Sequence, residues 1–246
     1  VTVDIESVVR VNFNSTTADV SENQTSSSLE DLSTDTDGPI KLVSQTGSLT
    51  IEGGAGGPGV AANGSGDVLL EARGAGSDVI INADVVSGTG NITLDAANDL
   101  AVNAAVTTGG SGTLYMVAVN DITVTDFATT VSGDILVDAG SSLTQDAMIS
   151  STSGDVGLIA GGSLDQTSDG DISTGGDVLV SAGSAWTMAD GTEISATGNV
   201  SGQALSGDLT LGLITSAGNV ALTASNSILD ANSGSLNVIA TNLSLV

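Results

Sequence analysis

The sequence predicts an all-β fold: a parallel β-solenoid (parallel β-helix) of about 20–22 residues per coil, with three short strands in each coil. Three observations predict it. A seven-residue phrase recurs along the chain, its apolar positions alternate with period two, and two further apolar columns follow it.

The phrase comes first. Eight copies align: GDVLLEA (66–72), GNITLDA (90–96), GTLYMVA (112–118), GDILVDA (133–139), GDVGLIA (154–160), GDVLVSA (176–182), GNVSGQA (198–204) and GNVALTA (218–224). Their starts are 20 to 24 residues apart. Looser copies begin at Gly47 (GSLTIEG) and Gly234 (GSLNVIA), at intervals of 19 and 16. Positions three and five are aliphatic almost throughout, and position seven is Ala in all eight. Period two places these side chains on one face of a strand. The Gly-Asp or Gly-Asn before each strand reads as turn chemistry, with Gly taking positive φ and Asx bonding its neighbouring backbone.

The second column is Leu100, Ile122, Leu143, Leu164, Trp186, Leu209 and Ile228; the third includes Val106, Ile149, Ile172, Ile194 and Ile214. Each coil therefore holds three strands separated by Gly/Ser/Asn/Asp turns. An antiparallel sandwich also suits strands at 8–12-residue spacing. A sandwich does not demand the same residue type every 22 residues or so, whereas stacked coils do. About ten coils are expected over residues 47–246. Residues 1–46 differ: VTVDIESVVRVNF alternates, and the polar, acidic stretch after it reads as a connector, a cap or an inter-subunit segment.

Composition narrows function. Neither Cys nor His is present, which excludes thiol, disulfide and imidazole chemistry. The net charge of −26, with only Arg10, Lys41 and Arg73 positive, repels nucleic acid and anionic lipid. No apolar run has the ~18 residues of a membrane helix, so membrane insertion is not expected. With no leader visible at Val1, the chain reads as a mature form or an excised segment.

Phrases such as SGTGNITLDAANDLAVNAAVTTGG and GDVGLIAGGSLDQTSDGDISTGGDVLVSAG resemble the repeats of filamentous-haemagglutinin-like adhesins and other giant repetitive bacterial surface proteins. The resemblance covers about residues 47–246. It implies a right-handed parallel β-helix, export to the cell surface, and service as an adhesin or fibre. It carries over no catalytic residues, and the family's N-terminal secretion module is not apparent.

Candidate sites are few. Polysaccharide-cutting enzymes also use parallel β-helices, and paired carboxylates could act as acid and base. No carboxylate pair stands out from the repeat, and no base lies beyond Arg73 to neutralise an acidic sugar, so no enzyme and no catalytic residue is expected. Asp31, Asp35 and Asp37, before Gly38, are close enough to gather oxygens around Ca2+. They miss the EF-hand spacing, and a solvated loop explains them as well; no other cofactor is expected. Trp186 sits in an inward column and reads as core, with a sugar-stacking platform as the alternative.

The outward positions of the phrase are more informative. Leu69, Tyr115, Leu136 and Leu179 occupy position four, and Val117 and Ile159 position six. A face meeting only water should be polar there, so this stripe is expected to be covered, by residues 1–46 or by another molecule. The C-terminal GSLNVIATNLSLV stays strand-like and offers an edge for stacking. The expected function is a non-catalytic, extracellular fibre or adhesin-stalk element that assembles with copies of itself through its ends and this stripe. A module binding a glycan or host receptor is the alternative.

Overall fold

The computed structural model describes residues 32–53 and 57–246. Every regular element among them is a β-strand, and every pairing is parallel. The strands form three sheets, of ten, nine and ten strands. The first sheet takes the five-residue strands of the phrase, such as Val68–Ala72 and Ile135–Ala139. The second takes strands such as Leu100–Val102, and the third strands such as Val106–Thr108. The chain visits the sheets in rotation, so each strand pairs with its equivalent one coil away. This is the predicted β-solenoid with three strands per coil.

Alternation explains the interior. Along the first sheet Val68, Ile92, Leu114, Ile135, Val156, Val178, Val200 and Val220 stack in register, and all are buried. The alanines at position seven pair with one another in the same way, from Ala72 to Ala224. The predicted second and third columns lie in register at or next to the first residue of the strands of the other two sheets. Like lies above like because parallel, in-register pairing at ~4.8 Å repeats each coil on the next.

Both ends depart from the expected alignment. The looser copy at Gly47 contributes Leu49–Ile51 to the second sheet, paired with Val79–Ile81. The first-sheet strand of that coil is Ile40–Ser44, which pairs with Val68–Ala72 at an offset of 28 residues. Solenoid strands thus begin before residue 47, and Leu32–Ser33 already pairs with the third sheet. The copy at Gly234 fails likewise: Val238–Ile239 joins the third sheet, and Asn242–Leu245 completes the first. Any three-residue strand here has the same in-out-in pattern, so a short phrase does not say which sheet it joins.

The glycines opening the phrase have a different reason from the one expected. Positive φ occurs at Gly64, Gly76, Gly110, Gly191 and Gly234, none of which opens an aligned copy that forms a first-sheet strand. Their need is close approach. A Cβ on Gly90, Gly112, Gly133 or Gly154 would overlap the carbonyl of the equivalent glycine one coil below. The following Asx also works between coils. Asp67 Oδ1 accepts from Asn91 N–H (2.8 Å), Asp134 from Asp155 (2.8 Å), Asp155 from Asp177 (2.7 Å) and Asp177 from Asn199 (2.6 Å).

The corner is closed from inside by a hydroxyl column at the end of the third-sheet strands. Ser87 and Thr108 donate to the carbonyls of Gly66 (2.8 Å) and Gly90 (2.6 Å), and Ser151 to that of Gly133 (2.9 Å). A second polar ladder crosses the second sheet's inner face. Gln166 Nε2 donates to Gln145 Oε1 (2.9 Å), and Trp186 Nε1 donates to Gln166 Oε1 (2.8 Å). No buried side-chain N or O among the described residues lacks a partner, as low-dielectric burial requires.

Trp186 is fully buried, which places it in the core and not on a sugar-facing surface. Its ring also explains the one gap in the aliphatic columns. Gly202 stands where Val180 and Leu222 flank it in register, and a Cβ there would overlap the Trp186 ring.

Candidate interaction surfaces

The three outer faces differ in chemistry. On the third sheet the outward row runs Ala61, Val86, Thr107, Thr129, Ser150, Ser173, Ser195, Thr215 and Ile239. On the second it includes Ala101, Thr123, Thr144, Asp165, Thr187 and Thr210. Both suit water. The first sheet's row at position four runs Lys41, Leu69, Thr93, Tyr115, Leu136, Gly157, Leu179, Ser201. Its row at position six includes Glu71, Asp95, Val117, Asp138, Ile159 and Ser181.

The six predicted stripe residues therefore share one face of one sheet. Tyr115 is directly beside Leu136, and Gly157 separates Leu136 from Leu179. Tyr115, Val117, Leu136, Ile159 and Leu179 are half-buried. Leu69 is 5% exposed and Thr93 0%, although alternation points both away from the interior. The idea that residues 1–46 cover this face falls on residues 1–31, outside the described residues.

Asp138 lies within the stripe, with Val117 and Ile159 as its neighbours on the adjoining strands. Desolvation raises its carboxyl pKa above the usual carboxylate range. Asp155, in the Asx ladder, is also raised: burial is the largest cause, and the charges of Asp134 and Asp177 add to it against the hydrogen bond from Asp177 N–H.

Asp31 lies outside the described residues. The Asp37 carboxylate accepts from Ser65 N–H (2.8 Å), tying the first coil to the second, while Asp35 is exposed. Among the described residues no three Asp or Glu side chains converge as a metal site would require.

Sequence reasoning did not find how far the last coil is exposed. Leu229, Leu236, Ile239, Leu243, Leu245 and Val246 are all at least 45% exposed. Leu243 and Leu245 continue the inner columns of Val220 and Leu222, so the open core surface is presented there together with an unpaired strand edge. The signal was present in NLSLV at 242–246, but the Gly234 alignment put the phrase in the wrong sheet.

No protein-family profile, curated protein or solved structure matches this chain.

Proposed function

We propose that the chain is a structural, non-catalytic rod: a subunit or segment of an extracellular bacterial fibre or adhesin stalk of the filamentous-haemagglutinin-like kind. The observation that carries this reading is the unbroken in-register stacking of the inner columns over ten first-sheet strands. Such stacking gives length and stiffness, because each coil is held only by its neighbours. The interior is filled with aliphatic side chains and satisfied polar ladders. The end coil supports association: its strand edge and Leu243 and Leu245 accept another parallel coil, whichever chain supplies it.

Electron microscopy of the purified chain tests this. Rods that join end to end into longer rods or filaments are expected, with sedimentation that rises with concentration. Single short rods at every concentration would remove self-assembly from the proposal. Turnover of a polysaccharide by the purified chain would remove the non-catalytic part.

A further inference from the structure

We infer that Asn63–Gly64 is a site of spontaneous succinimide formation, and that conversion of Asn63 to aspartate and isoaspartate there loosens the first coil from the second. The inference concerns the covalent ageing of one turn and is independent of the rod-building proposal.

The sequence contains one Asn-Gly pair, at 63–64. It follows the third-sheet strand Val60–Ala62, in a turn closed by Gly66 N–H donating to the Asn63 carbonyl (3.2 Å). Gly64 has φ +59°, which glycine takes at no steric cost. Asparagine is a thermolabile residue, but the reaction has requirements. The side chain must be free to turn, the next amide nitrogen must reach Cγ, and no neighbouring Cβ may crowd that nitrogen. Asn63 is exposed. Gly64 N–H donates to Asn63 Oδ1 at 2.9 Å, so the side-chain carbonyl already lies against the nitrogen that attacks it.

Other corner asparagines are held differently. Asn91 Nδ2 donates to Asp67 Oδ1 (3.1 Å), and the next amide, Ile92 N–H, donates to the Thr113 carbonyl (2.9 Å). Asn98 Nδ2 donates to Asp78 Oδ1 (2.7 Å), as does Asp99 N–H (3.2 Å). Asn120 Nδ2 donates to Asn98 Oδ1 (2.6 Å), and Asp121 N–H to Asp99 Oδ1 (3.1 Å). In each case both the side chain and the attacking amide are engaged by another coil, and local opening must release them first.

At Asn63 the Gly64 nitrogen gives its proton to solvent base and attacks Cγ. The Cγ–Nδ2 bond breaks, and Nδ2 takes a proton from water and leaves as ammonia. Water then adds to one succinimide carbonyl. Opening at the side-chain carbonyl gives aspartate, and opening at the main-chain carbonyl gives isoaspartate. The net change is water in and ammonia out, with no oxidation.

The product disturbs the joint between the first two coils. Asn63 N–H donates to Thr34 Oγ1 (3.2 Å), Asn63 Nδ2 to the Asp35 carbonyl (3.4 Å), and Ser65 N–H to Asp37 Oδ1 (2.8 Å). Aspartate puts an acceptor and a charge where a donor faced the Asp35 carbonyl. Isoaspartate adds a main-chain carbon inside the turn. Both weaken the pairing in which Leu32 and Thr34 N–H donate to the Gly59 and Ala61 carbonyls (3.0 and 3.1 Å).

Ageing the purified chain in mildly alkaline buffer, followed by peptide mass spectrometry and isoaspartate assay, tests the site. Aspartate and isoaspartate at residue 63 should together accumulate at least about tenfold faster than conversion at Asn91, Asn98 or Asn120, and within about tenfold of the rate for Asn63 in urea. Conversion should slow in mildly acidic buffer. Stronger protection of Asn63 in the fold, or aspartate without isoaspartate, would overturn the site. Hydrogen exchange tests the consequence. Exchange at Leu32 and Thr34 should quicken as the native chain ages, and should not quicken as Asn63→Gln ages, because its longer side chain must close a larger ring. Ile135–Ala139 should not change in either. Unaltered exchange at Leu32 and Thr34 in converted material, or equal quickening in Asn63→Gln, would overturn the loosening.

Discussion

Replacing Gly202 by valine makes the chain more regular and should make it less stable. Val is what position five carries one coil earlier, at Val180, and Leu is what it carries one coil later, at Leu222. A β-branched residue in place of a strand glycine would ordinarily help, by roughly 0.5–1 kcal/mol from backbone entropy. Here the added Cβ overlaps the Trp186 ring and also crowds a Leu222 methyl. The ring cannot swing aside cheaply, because it is fully buried and its Nε1–H is held by Gln166 Oε1 at 2.8 Å. Overpacking of this kind costs about 1–3 kcal/mol. The net expectation is a loss of about 1–2 kcal/mol, a five- to thirtyfold shift in the folded-to-unfolded ratio. Urea unfolding followed by far-ultraviolet circular dichroism measures it, with Trp186 fluorescence as a local probe of the same coil. Trp186→Leu should also destabilise, by emptying the site and leaving Gln166 Oε1 without its donor. Combining it with Gly202→Val should recover part of the loss, so the double-mutant coupling should be favourable. A Gly202→Val protein as stable as the native chain, or an additive double mutant, would refute the account of the Trp186–Gly202 pair.

Gly133→Ala drives a methyl into the backbone of Gly112 and should cost more than about 2 kcal/mol by urea denaturation. Gly57→Ala, with nothing within 4 Å, should be neutral or stabilising by up to about 1 kcal/mol. Gln166→Leu removes the partner of both Trp186 Nε1 and Gln145 Oε1 and should cost about 1–3 kcal/mol for each group left unpaired, read from the same transition. Stability should also rise as pH falls from neutral toward the carboxylate range. Asp138 and Asp155 are held above their ordinary pKa in the folded chain, so the stability they allow is full below the unfolded pKa and is lost as pH rises through the folded one. Asp230, held low chiefly by Asn237 and then by Asn232 N–H, acts in the opposite sense. Asp138→Asn should flatten the pH dependence of the urea midpoint and raise stability at pH 7.

How much was legible depends on whether a feature is local. Val68, Leu70 and Ala72 alternate within one strand, so their inward direction could be read from five residues. The columns at Leu100 and Val106 were readable for the same reason. The terminal coils were not, because Ile40 lies 28 residues before Val68 while the phrase elsewhere recurs at 20 to 24. A long first coil moved the true strand away from where the period pointed. The stripe from Leu69 to Leu179 was legible as a row of misplaced apolar residues. That Leu69 is nearly buried while Leu136 and Leu179 are half-open was not, because exposure depends on three-dimensional surroundings that a row of alternating residues does not encode.

By itself the sequence determined the repeat, the alternation and therefore which side chains face inward, because these follow from the geometry of a single extended chain. Only the stacked coils decided the rest. The glycine of GDVLLEA was readable as a turn residue from its neighbours alone. Its need for close approach exists only once the Gly38 carbonyl lies beneath Gly66. The aspartate bonds the coil above and not its own turn. Gln145, Gln166, Trp186 and Gly202 make one packed unit although no two of them are sequence neighbours. Contacts between residues about twenty apart form when coils register on one another, and in-register stacking sets which residues meet.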